Sequence, residues 1–276
     1  MRNKRKYDHS WTDLHHEIFE FVYSSDIKVS SISLQKHFSF KAKKKAIRLV
    51  IQDLVNQGEL LFTNFFGTTY IERSFSKPTR VGQFLVLAPS HCHIFVKKPD
   101  ILIQMKSGNA FGYGNHATTR LSLQCIEWVL LNHKQKESFF GLDIGTGSGI
   151  LSIAMIQMGV RNVVAIDNDP IAIYEAQQNI QVNDLDDKIQ IIKTTADLVN
   201  GSFNIICSNL RPPTICALAP IIQDLLIHRG YYIISGCKVD DCHDLILFLK
   251  TYQLNLIYKM KENGWMGMVF TKGMGL

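Results

Sequence analysis

Apolar positions in the first part of this chain recur at helical spacing. Between Trp11 and Ser24, Leu14, Ile18, Phe19, Phe21 and Val22 fall largely on one face, which predicts a helix. Ser31 to Phe38 predicts a short second helix or turn. Lys41 to Gln57 predicts a third, with Ile47, Val50, Ile51, Leu54 and Val55 inward and Gly58 as its stop. Leu60–Thr63 and Thr68–Ile71 flank Asn64-Phe-Phe-Gly67 and read as a hairpin. Three helices and a hairpin predict a winged-helix-like unit over residues 1–80. A small β segment follows at 81–105. From 106 to 276 the pattern changes to apolar strands alternating with helices. Ser138–Ile144 is a strand, Asn162–Asp167 a second and Ile205–Asn209 a third, and a helix over Thr118–Asn132 precedes them. That alternation predicts an α/β domain with a doubly wound, mostly parallel sheet.

The first of these strands runs into Asp143-Ile-Gly-Thr-Gly-Ser-Gly149, and the second ends in Asp167. A strand, a glycine turn and a helix N-terminus form a ready anion site, because free N–H groups point at the ligand. An acid ending the next strand can hold both hydroxyls of a ribose. The expected ligand is therefore a nucleoside that carries a negative group. The glycines sit at 145, 147 and 149, not in the G-x-G-x-x-G spacing of dinucleotide folds, and no Lys-Ser or Lys-Thr follows as in a P-loop. Asp143, two residues before the first glycine, is a poor neighbour for a pyrophosphate. It suits a ligand with a cationic group, such as the ammonium and sulfonium of S-adenosylmethionine. The bland alternative is an ordinary glycine-rich strand–helix turn.

Two further segments add weight. Asn109–Arg120 precedes a helix, and Ile205-Ile-Cys-Ser-Asn-Leu-Arg-Pro-Pro213 is a strand ending in a polar loop. Ligands of open parallel sheets sit beyond the carboxyl ends of the strands, where Gly145, Asp167 and Asn209 would lie together.

Phe111-Gly-Tyr-Gly-Asn-His-Ala-Thr-Thr119 resembles the F-G-T-G-x-H-x-T-T signature of the PrmA family, S-adenosylmethionine-dependent methyltransferases of large-subunit ribosomal protein eleven. Asp143–Leu151, Ile166-Asp-Asn-Asp-Pro170, Ser208-Asn-Leu210, Ser235-Gly236 and Glu262…Trp265 follow in the family's order from about Val81 onward. The resemblance implies a Rossmann-like class I methyltransferase domain. It implies S-adenosylmethionine as cofactor, with Phe111, Gly112, Thr119, Asp143, Gly145, Gly147, Asp167 and Asn209 around it. It also implies a protein amine, lysine or N-terminal and ribosomal in the family, as acceptor. Three positions depart from the signature: Tyr113 replaces a threonine, Ser107 a proline, and Arg211-Pro212-Pro213 is an unusual continuation of the Asn209 loop. The helical front unit also differs from the α+β substrate-gripping domain of PrmA proteins.

Asn209 is the candidate catalytic residue. A sulfonium methyl is already activated, so the protein must align an acceptor and exclude water. A lysine must first lose its proton, and desolvation beside a cation lowers its pKa. The Asn209 side-chain oxygen would then accept an N–H bond and aim the lone pair.

Charge divides the chain as the pattern does. Residues 1–80 carry 14 Lys/Arg against 8 Asp/Glu, whereas 81–276 carry 16 of each, so the net +6 belongs to the front. Lys41, Lys43, Lys44, Lys45 and Arg48 open the third helix. They read either as phosphate contacts of a recognition helix or as a solvated face. Arg2-Asn-Lys-Arg-Lys6 reads as a solubilising arm. Two rival functions stay open on the sequence: a nucleic-acid methyltransferase guided by the basic unit, and a DNA-binding regulator that senses S-adenosylmethionine. The six cysteines lack framework spacing, no secretion signal or membrane-length apolar run is seen, and a cytoplasmic location is expected. His91-Cys-His93, expected within an alternating strand, and Cys237, Cys242 and His243 lack a partner pair at zinc spacing, so no metal is expected.

Overall fold

The computed structural model describes residues 12–25, 29–65, 68–92, 94–106, 108, 111–114, 116–133 and 136–273. The 2–6 arm, Trp11, the hairpin tip at 66–67, His93, Ser107, Asn109, Ala110 and Asn115 lie outside the described residues. The chain forms two compact units that divide between Lys77 and Pro78.

The N-terminal unit contains α1 (Asp13–Ser24), β1 (Val29–Ser30), α2 (Ser31–His37), α3 (Lys44–Asn56), β2 (Leu60–Phe65) and β3 (Thr68–Arg73). The strands form an antiparallel sheet in the order β1-β3-β2. Apolar residues at helical spacing meet the sheet in one core of Ile18, Leu34, Ile47, Leu54, Leu60 and Ile71. The third helix begins later than its apolar spacing suggests. Lys41 lies in the preceding turn, where its ammonium pairs with Glu17 at 2.6 Å. Lys44, Lys45, Arg48 and Leu49 are exposed on α3.

The second unit opens with a three-stranded sheet: β4 (Thr79–Arg80), β5 (Leu85–Pro89) and β6 (Ile101–Met105), in the order β4-β5-β6. The strand expected to include His91 ends at Pro89; a turn follows, closed by the Cys92 N–H donating to the Pro89 carbonyl at 2.9 Å. This sheet is pinned to α4 (Ala117–Leu131), whose buried Glu127 accepts the backbone N–H groups of Gln83, Phe84 and Leu85 at 2.6, 2.7 and 3.2 Å. Three donors on one carboxylate satisfy a charge that would otherwise be costly to bury.

The main sheet has seven strands: β7 (Phe140–Ile144), β8 (Asn162–Asp167), β9 (Ile189–Lys193), β10 (Phe203–Asn209), β11 (Leu226–Lys238), β12 (Leu254–Glu262) and β13 (Trp265–Lys272). Their order is β12-β13-β11-β10-β7-β8-β9. The pairings from β11 through β9 are parallel, and β13 runs antiparallel to both β11 and β12. Adjacent residues feed opposite faces, as strand geometry requires. Cys207 and Ile233 join the core that holds α4 and α5 (Ile150–Gln157). Ile206 and Ile234 join the core that holds α7 (Pro212–Leu225) and α8 (Cys242–Thr251). α5 is apolar on nearly every side and accordingly buried. The strand order reverses between β7 and β10, which opens a crevice at the carboxyl edge of the sheet.

Candidate active site

That crevice is a cleft of about 690 Å³. Phe111, Gly112, Thr119, Gly145, Gly147, Asp167 and Asn209 all line it, although they come from five separate parts of the chain. β7 delivers the glycine loop, β8 ends at Asp167 and β10 ends at Asn209, whose register partner is Ser235 of β11. α4 brings in Thr119, and its N-cap His116 also lines the cleft.

The glycine loop does not form the anion site its composition suggests. The N–H groups of Gly145 and Thr146 both donate to the Ile166 carbonyl at 2.9 Å, and that of Gly149 to the Thr146 carbonyl at 2.9 Å. The Ser148 N–H donates to the Phe111 carbonyl at 3.0 Å, and the Gly147 N–H to Asp167 Oδ2 at 3.0 Å. These donors fold the loop, and none of them is left over for a phosphate. Gly147 has φ +54°, and a Cβ there would sit 2.5 Å from the Phe111 carbonyl oxygen, so close backbone contact requires glycine.

Asp143 is the one expected site residue that the fold keeps away from the cleft wall. It is completely buried under the loop. Its Oδ2 accepts from the Thr146 hydroxyl at 2.7 Å, the Ser152 hydroxyl at 2.8 Å and the Ser152 N–H at 3.2 Å. Its position in the middle of the sheet, opposite Cys207 and Ala165, places it behind the loop instead of beside a ligand. Burial pushes its carboxyl up to about 6, against three hydrogen bonds that favour the charged form. The native state therefore holds this proton more tightly than the unfolded chain does. The resulting stability is present below the unfolded value of 3.8 and is lost as pH rises through about 6. Replacing Asp143 with asparagine should remove this dependence. The melting temperature of the variant relative to wild type should rise between pH 4 and 7, and a difference that stays constant with pH would contradict the assignment.

Asp167 faces the cleft. Its Oδ1 accepts the Asp169 N–H at 3.0 Å and its Oδ2 the Gly147 N–H, which leaves each oxygen with lone-pair capacity toward the cleft. Thr119 is among the residues around the cleft, and its wholly buried hydroxyl has no hydrogen-bond partner among the described residues. Such an orphan is costly unless a ligand group meets it. Apolar walls come from Ile150, Leu151, Leu218 and Ile221.

Residues of two further quoted motifs, His116 and Trp265, also line the cleft, without having been named as site residues. Trp265 at the start of β13 meets the His116 ring at 5.1 Å between centroids, and His116 meets Phe111 at 5.4 Å. The Nδ1 atom of His116 faces the Thr118 hydroxyl at 2.8 Å, the local capping role of a loop histidine. Asp197, in a 3-10 turn over Ala196–Leu198 after β9, also lines the cleft. Only the strand-edge rule, extended to β9, would have located it. Arg211 stands beside Asn209 at the exposed rim and N-caps α7, with Pro212 pre-set for the first helical turn. Cys237 and Cys242 are buried with their sulfurs 3.1 Å apart. Among the described residues, no cluster of three or more metal-ligating side chains occurs, and no helix is long and apolar enough to cross a membrane.

A family model described as ribosomal protein L11 methyltransferase (PrmA) matches residues 28–273, a span that begins upstream of Val81. The ribosomal protein L11 methyltransferase of Pelobacter propionicus is 31% identical over 196 residues, which cover 71% of this chain and 63% of that protein. The one from Geotalea uraniireducens is 30% identical over 200 residues, covering 70% and 64%. A crystal structure of a ribosomal protein L11 methylase from Lactobacillus delbrueckii subsp. bulgaricus aligns with a TM-score of 0.65 at 26% identity. That alignment covers 72% of this chain and 100% of the other. The chain spans a little under two thirds of the length of the curated relatives it matches.

Proposed function

Since the chain belongs to the ribosomal protein L11 methyltransferase (PrmA) family, we propose that it is an S-adenosylmethionine-dependent N-methyltransferase acting on an amine of a ribosomal protein. The observation that carries this reading is the convergence of Asp167, the partnerless Thr119 hydroxyl and Asn209 on one cleft whose glycine loop has spent its N–H groups. A phosphate-free nucleoside fits that donor set. Asp167 would hold the ribose hydroxyls, Thr119 would meet a polar group of the amino-acid tail, and the aliphatic wall would take the base. When bound, the sulfonium supplies an activated methyl group.

The remaining work falls to the chain's own residues. The cleft removes water from an entering amine and so favours its neutral form. Asn209, held at the end of β10 where the Leu210 N–H donates to the Ser235 carbonyl at 3.2 Å, would accept an N–H bond and aim the lone pair. The test is to incubate the protein with radiolabelled cofactor and ribosomes and to ask whether label follows protein or RNA. Label in RNA alone would overturn the acceptor assignment. Both curated relatives carry the name of a ribosomal protein's methyltransferase, which disfavours the nucleic-acid methyltransferase and the sensor.

A second reading concerns the N-terminal unit, which we take as winged-helix-like from its element order. Exposed Lys44, Lys45 and Arg48 on α3 favour contact with nucleic-acid phosphate. Retention of RNA or DNA on a filter should fall steeply with salt. Neutralising Lys43, Lys44 and Lys45 should flatten the log–log slope by about 2–3 units, because each lost phosphate contact frees fewer counterions. Retention that ignores salt would make the unit a protein-docking element.

A further inference from the structure

α6 (Pro170–Val182) and the residue just beyond it carry Glu175, Asn179 and Asn183 at four-residue spacing, which places them on one side. All three reach the stretch that runs from β6 toward α4. Asn183 accepts the Gln104 N–H at 3.0 Å and donates to the Gln104 carbonyl at 2.7 Å. Asn179, wholly buried, accepts the Lys106 N–H at 2.8 Å and donates to the Ser148 carbonyl at 2.8 Å. At the upper end Tyr113 donates its hydroxyl to Glu175 Oε2 at 2.5 Å. Burial first, and then the Glu175 carboxylate, keep this phenol protonated far above its ordinary range, so it remains a donor.

Tyr113 does not line the cleft, but the two residues before it do. The Phe111 and Gly112 carbonyls accept the Ser148 N–H and hydroxyl, both at 3.0 Å. On the other side the Gly114 carbonyl accepts from Arg120 Nη1 at 3.0 Å, and Arg120 is itself paired with Glu262. Phe111–Gly114 is thus held from below by the glycine loop, from one side by Arg120 and from the other by Glu175. The Arg120 anchor is buried, whereas the Tyr113–Glu175 bond is only half-buried.

We propose that Tyr113 is a positioning residue for the cofactor: through Glu175 it pins Phe111 and Gly112 against the glycine loop and so slows ligand release. This rests on the S-adenosylmethionine reading above. Among variants of one binding site the dissociation rate changes far more than the association rate, so loss of the bond should be read chiefly in release.

Release of labelled S-adenosylhomocysteine from the full-length protein, chased with excess unlabelled ligand, measures this directly. Tyr113→Phe should speed release about ten-fold, the scale of one charge-assisted hydrogen bond. Glu175→Gln should speed it less, because the amide oxygen still accepts a neutral bond. The double variant should speed release by less than the product of the two single effects, because both substitutions weaken the same Tyr113–Glu175 bond. Asn183→Ala should lower the melting temperature and leave release unchanged. Should Tyr113→Phe fold poorly, Glu175→Gln carries the same test. Release within about two-fold of wild type in both single variants, or additive effects in the double, overturns the proposal and leaves the methyltransferase reading standing. A wild-type protein that binds no S-adenosylhomocysteine overturns both.

Discussion

Asp167→Ala is expected to weaken S-adenosylhomocysteine binding by roughly a hundred-fold, about 2–3 kcal/mol on the scale of hydrogen bonds to a charged group. The carboxylate has two tasks. One is toward the ligand, through the lone pairs that face the cleft. The other is toward the protein, because it accepts the N–H groups of Gly147 and Asp169 and so ties the glycine loop to the end of β8. Alanine loses both. Asparagine keeps one acceptor oxygen and most of the shape, so Asp167→Asn should lose less affinity than Asp167→Ala. Titration calorimetry separates the three proteins. Unchanged affinity in the alanine variant would remove the ribose assignment. Binding of NAD tighter than that of S-adenosylhomocysteine would remove the cofactor reading altogether.

Asn209→Ala should cut the rate of methyl transfer at least ten-fold, on the order of 1.4 kcal/mol, mainly through kcat. Its effect on S-adenosylhomocysteine affinity should stay within about three-fold, because an interaction made only with the acceptor contributes nothing to the product's binding. The sign of a second variant follows from electrostatics. Asn209→Asp places an anion beside the acceptor amine, favours its ammonium form and raises its pKa. The rising limb of the pH–rate profile should therefore move to higher pH. Turnover that survives Asn209→Ala would show that this residue does not orient the acceptor. A profile that moves to lower pH in the aspartate variant would argue the same.

Much of the second unit was legible in the residue order. Asn162–Asp167 reads as a strand because β-branched and apolar residues run unbroken to an acid, and it forms with those bounds. The helix expected over Thr118–Asn132 forms as Ala117–Leu131. The glycines at 145, 147 and 149 announce a turn because each takes a positive φ. The parallel sheet follows from the alternation of strands and helices, and the cleft from the rule that ligands gather at the strands' carboxyl ends. Each of these signals is local: a residue's preference for a backbone conformation, or a spacing of two to four positions, survives in the one-dimensional string.

What only the tertiary structure decided involves partners far apart in the chain. Asp143 reads as a ligand neighbour on the page. It becomes a buried organiser of the loop because β8 and β10 close over it on either side. The loop's N–H groups look free until the Ile166 and Phe111 carbonyls arrive from other elements to accept them. Tyr113 meets Glu175 across 62 positions and Arg120 meets Glu262 across 142, and neither pair has a spacing that a motif could record. Trp265 reaches the cleft because the antiparallel β13 lies against β11 and returns its first residue to the carboxyl edge of the sheet. Backbone preference is a property of each residue and its near neighbours. Whether a polar side chain faces a ligand, a carbonyl or another side chain depends on which surfaces the finished sheet brings within 3 Å, the range over which a hydrogen bond forms.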